Sequence, residues 1–203
     1  VLDLDTLTTA GDLTVTAGGN ITDSGTVTVG GNFAATTNAN SSTIVLDTLA
    51  VDGTIALVTH NNGAATVVND AGLNFAASTV GGALSATATS GNITQSGALT
   101  ITGVTTIAAD SGNNITLSNT SNNFQAAVRI TSGNNVTLVD AGTIDLGAST
   151  VSGTYAVTAT AGGDITDSGV LAITGTSTFT VGNGQSVILD ESSTFSTVTF
   201  ASP

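Results

Sequence analysis

The sequence predicts an all-β fold: a right-handed parallel β-helix of eight to nine coils, three coils to each 72-residue unit. Three observations predict it. Helix formers are scarce while Thr, Val and Ile abound. One seven-residue motif returns at a fixed interval. Apolar residues alternate with Thr in short runs bounded by Gly and Asn.

The composition sets the class and removes several functions. The chain has 203 residues, 40% of them hydrophobic, which is ample for a core. Only 7% are charged, against about 25% in ordinary globular domains. Lys, Cys, Met and Trp are missing, with one Arg and one His. Glu, Lys, Arg and Gln favour helices and β-branched residues favour strands, so all-β is the class that fits. A net charge of −13 disfavours nucleic acid and anionic membranes, which attract basic faces. No run approaches the roughly 18 apolar residues of a membrane-spanning helix, so no membrane insertion is expected. No charged segment followed by an apolar one opens the chain, so no signal peptide is read. Without Cys there is no disulfide framework.

The repeat defines the elements. "GNITDSG" at 19–25 returns as "GNITQSG" at 91–97 and "GDITDSG" at 163–169. "DAGLNFAASTVGG" at 70–82 matches "DAGTIDLGASTVSG" at 140–153, and "LDLDTL" at 2–7 fits the same frame. Leu4, Phe75 and Leu146 then share one large apolar slot, as a common core position requires. The chain divides into the end of a preceding unit (1–10), unit 1 (11–82), unit 2 (83–154) and a partial unit 3 (155–203), all within one solenoid segment.

Within unit 2, "SGNIT" at 90–94, "SGNNIT" at 111–116 and "SGNNVT" at 132–137 mark successive corners. Their step is one coil of a solenoid. Between corners, Leu99 and Ile101, Ile115 and Leu117, Val136 and Leu138, and Val128 and Ile130 point inward. Thr100, Thr116, Thr137 and Arg129 point out. Period-2 alternation in short runs is the half-buried strand pattern. Like strands recurring one coil apart stack like on like, and parallel crossovers are right-handed. At the corners Gly accepts positive φ and Asn accepts the left-handed region. Asn92, Asn114 and Asn135 form a side-chain ladder there, and Asp164 takes the same place in the last unit.

"GNITQSGALTITG", "SGNNITL", "SGNNVTLVDAGTIDLGASTVSG" and "GGDITDSG" resemble the repeats of very large filamentous-haemagglutinin-like bacterial exoproteins. The resemblance covers essentially the whole chain. It implies a right-handed parallel β-helix, secreted or displayed on the bacterial cell surface, serving as the shaft of an adhesin. The "NPNL" and "NPNG" motifs of that family's secretion domain do not occur here, and Pro203 is the sole proline.

Turn and surface roles account for most candidate site residues. β-Helix lyases need a basic residue and commonly Ca²⁺. His60, in "THNNG", reads as an exposed turn residue, and Arg129 as a solvated strand residue. A glycosidase needs paired carboxylates. Asp164 and Asp167 offer a pair, but Asn20 with Asp23 and Asn92 with Gln95 are their equivalents, so both read as turn residues. The nucleophile elbow, the zinc-protease helix and the phosphate loop are absent. No catalytic residue, cofactor or metal ligand is therefore assigned. The weak exception is Ca²⁺, for which Asp3 and Asp5 on one face could hold a loose ion. Thr-x-Thr pairs at 14/16, 26/28, 87/89, 100/102 and 158/160 raise ice binding as a minor reading. Sequons at Asn20, Asn40, Asn92, Asn114, Asn119 and Asn135 are possible glycosylation sites.

The expected function is a non-catalytic spacer in a large secreted or cell-surface adhesin, its partners being other segments of the same giant chain. The alternative is a subunit of an extracellular filament or sheath, stacking on identical copies through uncapped coils. The chain enters and leaves mid-repeat, which favours the spacer.

Overall fold

The computed structural model describes residues 1–160 and 162–202; Pro203 lies outside them. Strand follows strand with no helix among the described residues, and the pairings are parallel throughout. The strands form two long sheets on opposite sides of a solenoid. The first sheet begins with Leu2–Asp3 and climbs through ten strands to Val187–Ile188, so nine coil steps separate its ends. At ~4.8 Å per step the rod is about 43 Å long. The second sheet begins with Leu13–Ala17 and ends with Thr194–Ala201.

Each coil has two unlike halves. One half is a single straight strand; the other is two shorter strands joined at a bend. In 65–132 the straight strands Ala65–Asn69, Leu84–Ala88, Thr105–Ala108 and Val128–Ser132 belong to the first sheet. The bent halves, such as Ile93–Gln95 with Leu99–Ile101, belong to the second. Before residue 60 and after residue 136 the arrangement is reversed: Leu13–Ala17 and Tyr155–Ala159 are straight strands of the second sheet.

This reversal refines the expected geometry. The corner spacing predicts three coils per unit, whereas the pairing gives three and a half. Ile21 pairs with Leu2 and Ile44 in the first sheet, Ile93 with Leu73 and Ile115 in the second, and Ile165 with Ile144 and Val187 in the first again. A unit therefore holds seven half-coils, an odd number, and each successive unit carries its bends on the opposite side of the rod. Coils also differ in length: the step from Thr105 to its partner Val128 takes more chain than the step from Val128 to its partner Leu146.

The core follows from the alternation. Ile101, Ile115, Leu117, Val128, Ile130 and Leu138 are fully buried, and Val136 nearly so. Phe75 and Leu146 are 0% exposed in equivalent slots, while Leu4, in the first coil, is half-buried against the same core. Both large residues sit where the sides exchange, Phe75 against Ile55 and Leu146 against Val128. Near the far end Tyr155, Phe179 and Phe195 make successive edge-to-face contacts, centroids 6.2 and 6.0 Å apart.

Candidate functional site: the inter-coil clips

The repeated motif is a pair of clips. Its first polar residue precedes a strand and reaches the next coil: Asn20 Oδ1 accepts Thr43 N–H at 3.0 Å, Asn92 Oδ1 accepts Asn114 N–H at 2.8 Å, and Asp164 Oδ1 accepts Ser186 N–H at 2.7 Å. Its second polar residue, three positions on, holds the next coil's bend. Asp23 takes Asp47 N–H and Thr48 N–H, both at 3.0 Å; Gln95 takes Asn119 N–H at 3.1 Å; Asp167 takes Asp190 N–H at 2.9 Å. Each bond satisfies a corner donor that the strand ladder cannot reach. Charge strengthens those made by Asp.

Asn92, Asn114 and Asn135 follow one another up a single corner. Asn114 Oδ1 accepts the N–H and an Nδ2 hydrogen of Asn135, both at 3.1 Å, and Asn135 Oδ1 accepts the N–H and the Oγ1 hydroxyl of Thr154 at 3.0 Å. Asp164 is a correction. The half-coil offset moves its corner to the other side of the rod. There its N–H donates to Thr143 Oγ1 below and its carboxylate accepts Ser186 N–H above, and it does not join the asparagines. The left-handed corner is also corrected. Gly91 has φ +98°, but the ladder asparagines are not in the left-handed region; Asp5, Ser41 and Asn61 are. The Asn side chain acts here as an acceptor for the next coil, not as a backbone hinge.

Other candidates resolve individually. His60 is exposed at the end of Thr54–His60, and Arg129 is exposed between buried Val128 and Ile130. Asp164 and Asp167 turn to different backbone donors, Ser186 and Asp190, so they do not form a facing acid pair. Asp3 Oδ1 accepts Ser24 N–H at 2.9 Å and Asp5 N–H at 3.1 Å, and bonding from Ser24 and then Asp5 lowers its pKa. Among the described residues no three His, Cys, Asp or Glu side chains come together as a metal cluster. Of the sequons, Asn20, Asn92, Asn114 and Asn135 use Oδ1 as clips, Asn40 accepts from Asn61 Nδ2 at 2.7 Å, and Asn119 closes a local turn on Ser121 N–H at 2.9 Å.

Sequence reasoning missed the polar residues inside the wall. Where the sides exchange, a straight strand stacks on a bent half and loses ladder bonds. Asn69, 0% exposed, replaces them: Oδ1 accepts Val51 N–H at 2.9 Å while Nδ2 donates to Val51 O at 3.1 Å and Gly72 O at 2.8 Å. At the second exchange Asp140, 1% exposed, accepts Phe124 N–H and Gly142 N–H, each at 2.7 Å. Ser78 accepts Leu57 N–H and Ser149 accepts Ile130 N–H, both at 3.0 Å. A signal existed: Asn69 and Asp140 fall on the inward phase of "ATVVN" and "VTLVD".

The bend columns differ in charge. Equivalent positions read Asp3, Asn74, Asp145; then Asp23, Gln95, Asp167; then Asp47, Asn119, Asp190. The acidic versions stand on the first-sheet side and the amide versions on the second.

No curated protein and no solved structure matches the chain. A family model described as "Repeats of unknown function" (DUF5649) matches residues 1–60, 62–131 and 133–202. Its divisions fall at the two places where straight and bent halves exchange sides. The chain belongs to this family of repeats, three copies of which make up almost its whole length.

Proposed function

We propose that this chain is a non-catalytic spacer, a stretch of shaft in a large bacterial adhesin that is secreted or held at the cell surface. One observation carries the reading. In all three copies of the motif both polar side chains accept N–H groups from the following coil, so the most repeated chemistry of the sequence serves stacking. Such a wall extends by adding coils, each contacting only its neighbours. The motifs resembling filamentous-haemagglutinin-like exoproteins supply the setting: outside the cell, with recognition in another part of the polypeptide. The wall itself needs no cofactor. Ice binding is not favoured, because Thr14 and Thr16 lie beside Ala34 and Thr36, and then Ala56 and Val58, so the pairs do not continue from coil to coil.

The test is the intact mass of the native polypeptide carrying this sequence. A mass many times 19.6 kDa supports the shaft. A mass close to that value overturns it in favour of a subunit that assembles end to end.

A further inference from the structure

At the bends, charge is sorted by the side of the rod, not by position in the unit. A given bend position lands on the first-sheet side in the first and third family repeats (1–60 and 133–202) and on the second-sheet side in the second (62–131). At three such positions the residue is Asp where it faces the first side and an amide where it faces the second. Asp47, Asn119 and Asp190 show the pattern at one bend, and the neighbouring Thr120 stands where unit 3 has Glu191. Among the described strands of the second sheet the sole carboxylate is Asp140, which is buried. The fold does not demand this sorting, since Asp23 and Gln95 both clip equivalent bends. A carboxylate that local structure tolerates in two units is excluded from the third, where only the side differs.

We propose that this face, free of bend carboxylates, is a contact surface for a second copy of the rod, the two lying side by side with second sheets facing. Each copy carries −13, and acidic sides repel at approaches within the Debye length of about 8 Å. The second-sheet face itself offers columns such as Thr79, Thr100 and Asn123, with hydroxyls and amides, while exposed Asp12, Asp52, Asp70 and Asp110 stand at the corner along its edge. Two rods meeting on that face keep their bend carboxylates outward in solvent. The partner is another copy because the excluded group is the one the chain itself carries in excess.

The experiment is sedimentation equilibrium of the 203-residue chain across a concentration series at about 0.15 M salt, with two variants. Asn119→Asp/Thr120→Glu copies the Asp190–Glu191 bend onto the second side, and the equivalent bend shows that the fold accommodates it. Asp190→Asn/Glu191→Thr removes charge from the first side. The expected result is a wild-type dimer, at least tenfold weaker association in the first variant, recovery in high salt, and no weakening in the second. A wild-type chain that stays monomeric, or a dimer indifferent to the first variant, overturns the proposal. Spin labels at Thr79→Cys and Thr8→Cys give a reading independent of those variants. A short intermolecular distance at Thr79 and none at Thr8 supports it; the reverse overturns it.

Discussion

The two places where the solenoid exchanges its sides solve one problem with different chemistry. At the first, the Asn69 carboxamide both accepts from and donates to the Val51 backbone and also reaches Gly72. At the second, the Asp140 carboxylate can only accept, and its two donors are Phe124 N–H and Gly142 N–H. Ser78 and Ser149 do the same work in both. The comparison teaches that an exchange needs a buried polar side chain to replace lost ladder bonds, but not a charged one. Burial pushes the Asp140 pKa up, with the two backbone donors opposing, so the second exchange carries a penalty at neutral pH that the first avoids.

Removing the large residue at either exchange should have the greatest effect. Phe75→Ala should cost about 3–5 kcal/mol and Leu146→Ala about 2–5 kcal/mol, measured by urea unfolding, because both side chains are sealed and the wall cannot collapse into the cavity. Next is Asn69→Ala, which strands the Val51 and Gly72 groups at a cost of about 3 kcal/mol. Asp140→Ala should cost less, since it removes a desolvated charge together with its bonds. Equal losses would break the distinction between the exchanges.

Asp140→Asn sharpens it. A raised folded-state pKa means that the native state holds the proton more tightly than the unfolded chain. Wild-type stability from this group is fullest at pH below the unfolded value and is lost as pH rises through the folded one. The amide has one acceptor oxygen for the two N–H donors of Phe124 and Gly142, so it should be less stable than the acid by about 1–3 kcal/mol at pH 4, the deficit narrowing towards pH 7, where only the acid carries a desolvated charge. A deficit independent of pH would contradict the charge argument. The smallest effect belongs to the exposed ladder. Asn114→Ala should cost about 0.5–1.5 kcal/mol and speed hydrogen exchange at Asn135, whereas Asn114→Asp, which keeps the acceptor, should do neither.

Much of this architecture could be read from residues. Alternation in "NITL" and "NVTL" places Ile115, Leu117, Val136 and Leu138 in the core, and the "GN" corners give the ladder Asn92, Asn114 and Asn135. The exchange of sides could not be read, because a sequence period counts residues and not half-turns. Coils of unequal length let one period of the motif hold either three coils or three and a half. The matched "DAG" at 70–72 and 140–142 also misled, since it sets exposed Asp70 against Asp140. The wall instead makes Asn69 the counterpart of Asp140, both being the inward last residue of a straight strand. The role of the second motif residue was hidden too, because Asp23, Gln95 and Asp167 act on a bend a full coil away in the chain.

The most direct test of the odd half-coil count is a set of spin-label distances at Ser24, Ser96 and Ser168, equivalent and exposed in all three units. The account predicts that Ser24 and Ser168 share one side, about 34 Å apart along the axis for seven coils, with Ser96 opposite. The distance from Ser24 to Ser168 should then fall well short of twice that from Ser24 to Ser96. A distance twice as long, with the three labels in line, would mean whole coils per unit and would contradict the account.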